Sequence, residues 1–204
     1  MSKELSLQDC TLYLDRISAP GTGAPTGTSA AMAGTLAAAL ISAACSHALE
    51  EGRSEKSEEE LRRIQERALS LRRDLLALVE HGAQAALAVA ASRGKGADGE
   101  RLKALLFASE VPLRTAESCH ALLNLAMSSL SRAGVKAIAE IGTGAALAFA
   151  GVVGGIVTSR TYLAGIPADS GAGVEKTRKR AERIFREAEA LRTQIIDRVR
   201  QHLP

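Results

Sequence analysis

Residues 140–160 read EIGTGAALAFAGVVGGIVTSR, an uncharged run bracketed by Glu140 and Arg160. The run is almost long enough to span a bilayer, which takes about 20 apolar residues. Gly142, Thr143, Gly144, Gly151, Gly154, Gly155, Thr158 and Ser159 leave it barely hydrophobic, so no membrane span is expected. A helix that is apolar all round has a better place at the centre of a bundle. Gly151 and Gly155 form a GxxxG step, a spacing that lets helices approach closely. This predicts a buried Gly/Ala-rich inner helix, beginning at about Val135 or Thr143 and running to Ala164, inside an antiparallel all-α array.

The rest of the chain agrees. The 204 residues fit one domain, 1–204, with a sizeable core. The apolar share is 46%, but only 2% is aromatic, Trp is absent and Ala makes the largest contribution. Such a core has little bulk per residue and gains dispersion energy by bringing backbones together. Ala is also the best helix former. The net charge is +3 with the signs interspersed, and no basic run is interleaved with aromatic rings, which excludes a nucleic-acid platform. Cys10, Cys45 and Cys119 are odd in number and lack CxxC spacing, as expected of reduced thiols in a cytoplasmic protein. The start, Met1-Ser2-Lys3-Glu4, does not read as a signal peptide.

Along the chain, Ser6 opens a first helix carrying Leu7, Cys10, Leu14 and Ile17 at helical spacing, ending at Ala19 before Pro20. Residues 20–28 contain two prolines and three glycines and read as a loop, with a long Ala-rich helix capped at Thr28 or Ser29 and reaching about Leu49. A glycine-rich turn feeding a helix N-terminus offers free N–H groups and a favourable dipole to an anion. Ser57 caps an amphipathic helix with Leu61, Ile64, Ala68, Leu71, Leu75 and Leu78 on one stripe. Residues 93–99 form a break. Pro112 then implies either a kinked helix or two in tandem over residues 100–133. The last helix carries Ile184, Ala188, Leu191, Ile195 and Val199 inward.

Few residues speak of chemistry by themselves. His47, His81, His120 and His202 are scattered without metal-ligand spacing. Cys45 and His47 with Cys119 and His120 would have to share a face to hold zinc, which residues one or two apart on a helix do not. No metal site is expected. Glu140, with Lys136 one turn earlier, is either a solvated helix-end charge or a functional acid.

The order of motifs resembles the cyclodeaminase/cyclohydrolase family of folate enzymes. The matching pieces are Asp15-Arg16-Ile17-Ser18-Ala19, then Pro25-Thr26-Gly27-Thr28-Ser29, then Ala30-Ala31-Met32-Ala33-Gly34. Glu110-Val111-Pro112-Leu113-Arg114-Thr115-Ala116 is similar to the family's proline-containing helix, and Gly144-Ala145-Ala146-Leu147-Ala148 to its inner helix. The resemblance implies a metal-free, homodimeric helical protein that acts on a reduced folate, a tetrahydrofolate derivative, at the C–N bond of its one-carbon bridge. It implies folate contacts from Pro25, Thr26, Gly27, Thr28, Ser29 and Arg114, with Arg93 or Lys95 as further partners for folate carboxylates. Glu140 is the implied proton-transfer group.

The sequence departs from the family pattern at four places. Two loop glycines are Thr26 and Thr28, and a Ser-Asp pair is Ala139-Glu140. An Asp-Ala-Xaa-Ala-Phe pattern reads Gly82-Ala83-Gln84-Ala85-Ala86, and an Asn-Val-Xaa-Xaa-Asn pattern reads Gly155-Ile156-Val157-Thr158-Ser159. These departures keep open a second reading, a non-catalytic relative that uses the scaffold to bind a protein or ligand.

Overall fold

The computed structural model describes residues 7–19, 25–52, 54–92, 98–132, 134–167 and 172–202. Among these, six helices account for nearly every residue and there is no strand: α1 (Leu7–Ser18), α2 (Pro25–Glu50), α3 (Glu55–Ala91), α4 (Asp98–Leu130), α5 (Val135–Ala164) and α6 (Ala172–His202). The inner helix takes the earlier of its two expected starts, Val135, and packs extensively on α2 and α4. α2 and α5 lie side by side. α4 backs both, with α3 beside α2 and α6 beside α5.

Glycine contacts fix the register of this pair. A Cβ on Gly27 would lie 3.4 Å from Thr158 Cγ2, and one on Gly144 would lie 3.2 Å from Ile41 Cγ1 and 3.3 Å from the Ala37 carbonyl oxygen. Residue numbers rise along α2 as they fall along α5, so the two are antiparallel. A Cβ on Gly155 would stand 2.5 Å from the carbonyl oxygen of Pro112, and one on Gly151 only 2.5 Å from Cys119 Sγ. The GxxxG step is therefore the seam along which α5 seats on α4.

The amphipathic stripes emerge as expected. Leu61, Ile64, Ala68, Leu71, Leu75 and Leu78 are all buried on α3, as are Ile184, Ala188, Ile195 and Val199 on α6. α4 runs as one helix through Pro112. The proline leaves the Ala108 carbonyl without its usual helical donor, a local loss the packed surroundings absorb.

Three expectations are corrected. α2 begins at Pro25, not at Thr28 or Ser29, so residues 25–29 form its first turn instead of a loop. Proline suits that place because its missing N–H would have no helical partner there and its φ is preset. α3 begins at Glu55 behind Ser54, ahead of the expected cap at Ser57; the two serine hydroxyls bond each other at 3.1 Å. On α1, Leu14 is exposed and the half-buried Tyr13 and Ile17 face the body; the side chains of Leu7 and Cys10 lie outside the described residues.

By length and composition, α2, α3 and α5 each contain a stretch that could cross a membrane, with best-window mean hydropathies of 1.5, 1.2 and 1.8. In the bundle, half of the α2 and α5 windows is buried against neighbouring helices.

Candidate functional site

The N-terminus of α2 opens onto a crevice walled by four helices. Gly27 comes from α2, Leu78, Gly82 and Ala85 from α3, Pro112 and Thr115 from α4, and Thr158 and Tyr162 from α5. The enclosed space is about 10 Å³, the lower limit for a single water. A ring the size of a pterin enters only if the walls part.

Local physics makes this end of α2 receptive. Pro25 has no N–H, and those of the following residues have no partner within the helix. Together with the helix dipole they favour electron-rich or anionic groups. Gly27 is buried, Thr28 and Ser29 are half-buried, and Thr26 is exposed. Gly82 gives α3 room here, since a Cβ there would already lie 3.5 Å from Thr28 Cγ2.

The hydroxyls of the crevice are held in place. Thr158 Oγ1 donates to the Gly154 carbonyl at 2.7 Å, and Thr115 Oγ1 to that of Val111 at 3.4 Å. Burial pushes the Tyr162 phenol above its ordinary value of 10.0, so it is a neutral donor at physiological pH. Tyr13 of α1 lies over the start of α2. Burial raises its pKa too, opposed by the Thr28 and Ser29 hydroxyls; its enclosed oxygen has no well-aligned hydrogen bond.

Thus the sequence-implied residues Thr26, Gly27, Thr28 and Ser29 do share one end of the molecule. Arg114 is exposed on α4 and does not line the crevice, although its neighbours Pro112 and Thr115 do. Arg93 and Lys95 lie outside the described residues, as does the side chain of Pro25.

Glu140 is elsewhere. It sits near the start of α5, about five turns or 27 Å along the helix from Thr158. There its Oε1 stands 3.2 Å from His47 Nδ1 of α2, without hydrogen-bond alignment. Both His47 Nδ1 and Glu140 Oε2 are enclosed and lack a hydrogen-bond partner among the described residues. The acid and the crevice do not meet within the chain, because they lie at opposite ends of the single long helix α5.

The remaining histidines and thiols do not gather. Among the described residues no three His, Cys, Asp or Glu side chains come within reach of a common metal ion. His120 lies 3.9 Å from Glu187, and Cys119 is wedged between Gly34 and Gly151.

Sequence reasoning did not assign Gly82, Thr115, Thr158 and Tyr162 to the site. The signal was present at two of them. Gly82 and Thr158 fall within the motifs that depart from the expected pattern, and the structure carries both to the same crevice as Gly27.

Comparison with known proteins follows the same lines. The family model described as formiminotransferase-cyclodeaminase matches residues 10–183. The methenyltetrahydrofolate cyclohydrolase of Methylorubrum extorquens is 28% identical over 199 residues, covering 92% of this chain and 94% of that protein. The crystal structure of formiminotetrahydrofolate cyclodeaminase from Thermotoga maritima superposes with a TM-score of 0.81 over 98% of this chain and 96% of that one, at 22% identity.

Proposed function

The chain belongs to the formiminotransferase-cyclodeaminase family, and on that footing we propose that it is a folate-dependent cyclohydrolase or cyclodeaminase working at the start of α2. One observation carries the reading. Gly27, Gly82, Pro112 and Thr158, far apart in sequence and each at a place where the family's motifs are either matched or replaced, converge on one crevice at a helix N-terminus. The names of the cyclohydrolase relative and of the cyclodeaminase with the same fold support the substrate class.

The chemistry asks for three things. The substrate must be oriented, bulk water kept out, and a proton moved as a C–N bond opens or closes. In hydrolysis, water oxygen bonds to the bridging amidinium carbon and gives up one proton; the carbinol's second proton then moves to a folate nitrogen as its C–N bond breaks, leaving a formyl group on the other nitrogen. In deamination, a folate N–H nitrogen attacks the protonated formimino carbon, and its proton passes to the formimino nitrogen, which leaves as ammonia. The tight, mostly apolar crevice supplies exclusion. The first turn of α2, with its helix dipole, and the hydroxyls of Thr158 and Tyr162 supply orientation, with Tyr162 donating. Proton transfer is the part that these walls lack, because no carboxylate lines them among the described residues. The acid that the family resemblance implies for it is Glu140, which within one chain stands at the far end of α5 from Thr158, and we read the protein as a metal-free, cytoplasmic homodimer.

The direct test presents methenyltetrahydrofolate and formiminotetrahydrofolate to purified protein and follows each by absorbance. Turnover of at least one is expected. Failure to turn over either would favour the binding-scaffold reading, which the absent carboxylate would then explain.

A further inference from the structure

Two polar groups are left over where α4 meets α5. Pro112 has no N–H, so the Ala108 carbonyl lacks its helical donor, and both residues line the crevice. Across the seam Ser159 is fully buried, and its Oγ has no hydrogen-bond partner among the described residues. Its neighbours behave differently. Thr158 and Thr161 turn their hydroxyls back onto the carbonyls of Gly154 and Val157. The buried Ser92, Ser109 and Ser129 each donate to the carbonyl three residues before. Ser159 alone among these keeps its hydroxyl off its own helix.

Packing sets the two groups against each other. A Cβ on Gly155 would lie 2.5 Å from the Pro112 carbonyl oxygen and 3.0 Å from the Ala116 nitrogen, and one on Gly165 would lie 3.5 Å from the Leu105 side chain. Ser159 is one turn beyond Gly155 on the same face of α5. Since α4 and α5 run antiparallel, that face meets the preceding turn of α4, residues 108–112. A buried carbonyl without its donor and a buried hydroxyl without a partner each cost free energy. Protein interiors seldom leave two such groups together.

Resting on the proposed function, we propose that the Ala108 carbonyl and the Ser159 hydroxyl form the hydrogen-bonding floor of the crevice and receive the pyrimidine edge of the pterin. That edge carries a donor, N3–H, beside an acceptor, the 4-oxo oxygen. As the walls part around the ring, N3–H donates to the Ala108 carbonyl and Ser159 donates to the 4-oxo oxygen. Recognition of this kind needs no carboxylate, and none lines the crevice among the described residues. Pro112 is a positioning residue, because it withholds the N–H that would otherwise occupy the carbonyl. The pterin thus enters by its pyrimidine ring, and the p-aminobenzoylglutamate tail, joined through the other ring, points outward.

Calorimetric titration with methenyltetrahydrofolate tests this in two variants. Pro112→Ala returns an N–H to the Ala108 carbonyl and also enlarges the space, so a purely steric wall would bind at least as well as before. A loss of affinity of about three- to tenfold is expected instead, the worth of one hydrogen bond, with the melting temperature unchanged or raised. Ser159→Ala should lose affinity by a similar factor without lowering the melting temperature. The 4-amino analogue of the ligand has an acceptor at N3 and a donor at position 4. Wild type should bind it about tenfold more weakly than the 4-oxo form, and Pro112→Ala should narrow that gap, which a merely structural role would not do. With wild type binding the 4-oxo ligand, undiminished affinity in either variant, or equal affinity of wild type for the two ligands, would overturn this orientation and leave the proposed function standing. No binding by wild type would overturn both.

Discussion

Cys119 shows how a core without bulk holds together. Its sulfur fills the gap where α2 and α5 meet α4, and a Cβ on either Gly34 or Gly151 would stand 2.5 Å from it. Packing this close makes glycine a steric requirement at those positions. At Gly155 the neighbour is the Pro112 carbonyl oxygen, also at 2.5 Å, and backbone cannot rotate away as a side chain can. Gly155→Ala should therefore cost roughly 1–3 kcal/mol of stability in urea melts. Gly173→Ala, with nothing within 4 Å of the added methyl, should gain about 0.4–1 kcal/mol. The thiols carry a second expectation. Burial pushes Cys45 up to about 11 and Cys119 to about 12, from 9.0. Their neutral forms are favoured in the fold, so this contribution to stability is full below pH 9 and is lost as pH climbs through 11 to 12. Neither Cys45 nor Cys119 should react with an aromatic disulfide reagent at pH 8 until the protein is unfolded.

At the level of elements, apolar packing is supplemented by ion pairs between helices, and Arg180 makes a bidentate one. Arg180 of α6 reaches Glu110 at 2.8 Å and both oxygens of Glu117 at 2.5 Å on α4. The Glu117 hydrogen bonds, ahead of Glu110, hold the guanidinium firmly protonated against the opposing effect of burial. The group is about a third exposed, so solvent screens it, and Arg180→Ala should cost on the order of 1 kcal/mol. Arg180→Lys should recover little in the same thermal melt, since an ammonium cannot make the bidentate contact. Which elements were legible in sequence follows from the same forces. α3 and α6 were, because each has one apolar stripe and one charged face, and periodicity reports that contrast directly. The start of α2 was not, since Pro25, Gly27 and two threonines carry loop propensities that a first helical turn tolerates equally well. The α1 stripe was misread because Leu14 is turned outward, and its surroundings depend on chain contacts that periodicity does not record.

Across the whole molecule, the candidate site was half legible. Residues 26–29 and Glu140 were each recognisable, but nothing in a linear order says that antiparallel packing would send them to opposite poles. Gly82 and Thr158 stood out only as departures from a pattern. Their shared crevice with Gly27 depends on the registers of α3 and α5 against α2, which arise from glycine-sized contacts spread over three helices. The central claim is that a reduced folate binds at this crevice. Gly82→Leu tests it most directly, because the added side chain projects into a space of about 10 Å³ beside Thr28 without touching Glu140, His47 or the outer face of α2 and α5. Calorimetric titration of wild type with methenyltetrahydrofolate should show saturable binding, and Gly82→Leu, with an unchanged circular dichroism spectrum, should weaken it by at least tenfold, about 1.4 kcal/mol. Equal binding by the two proteins, or none by wild type, would contradict the account.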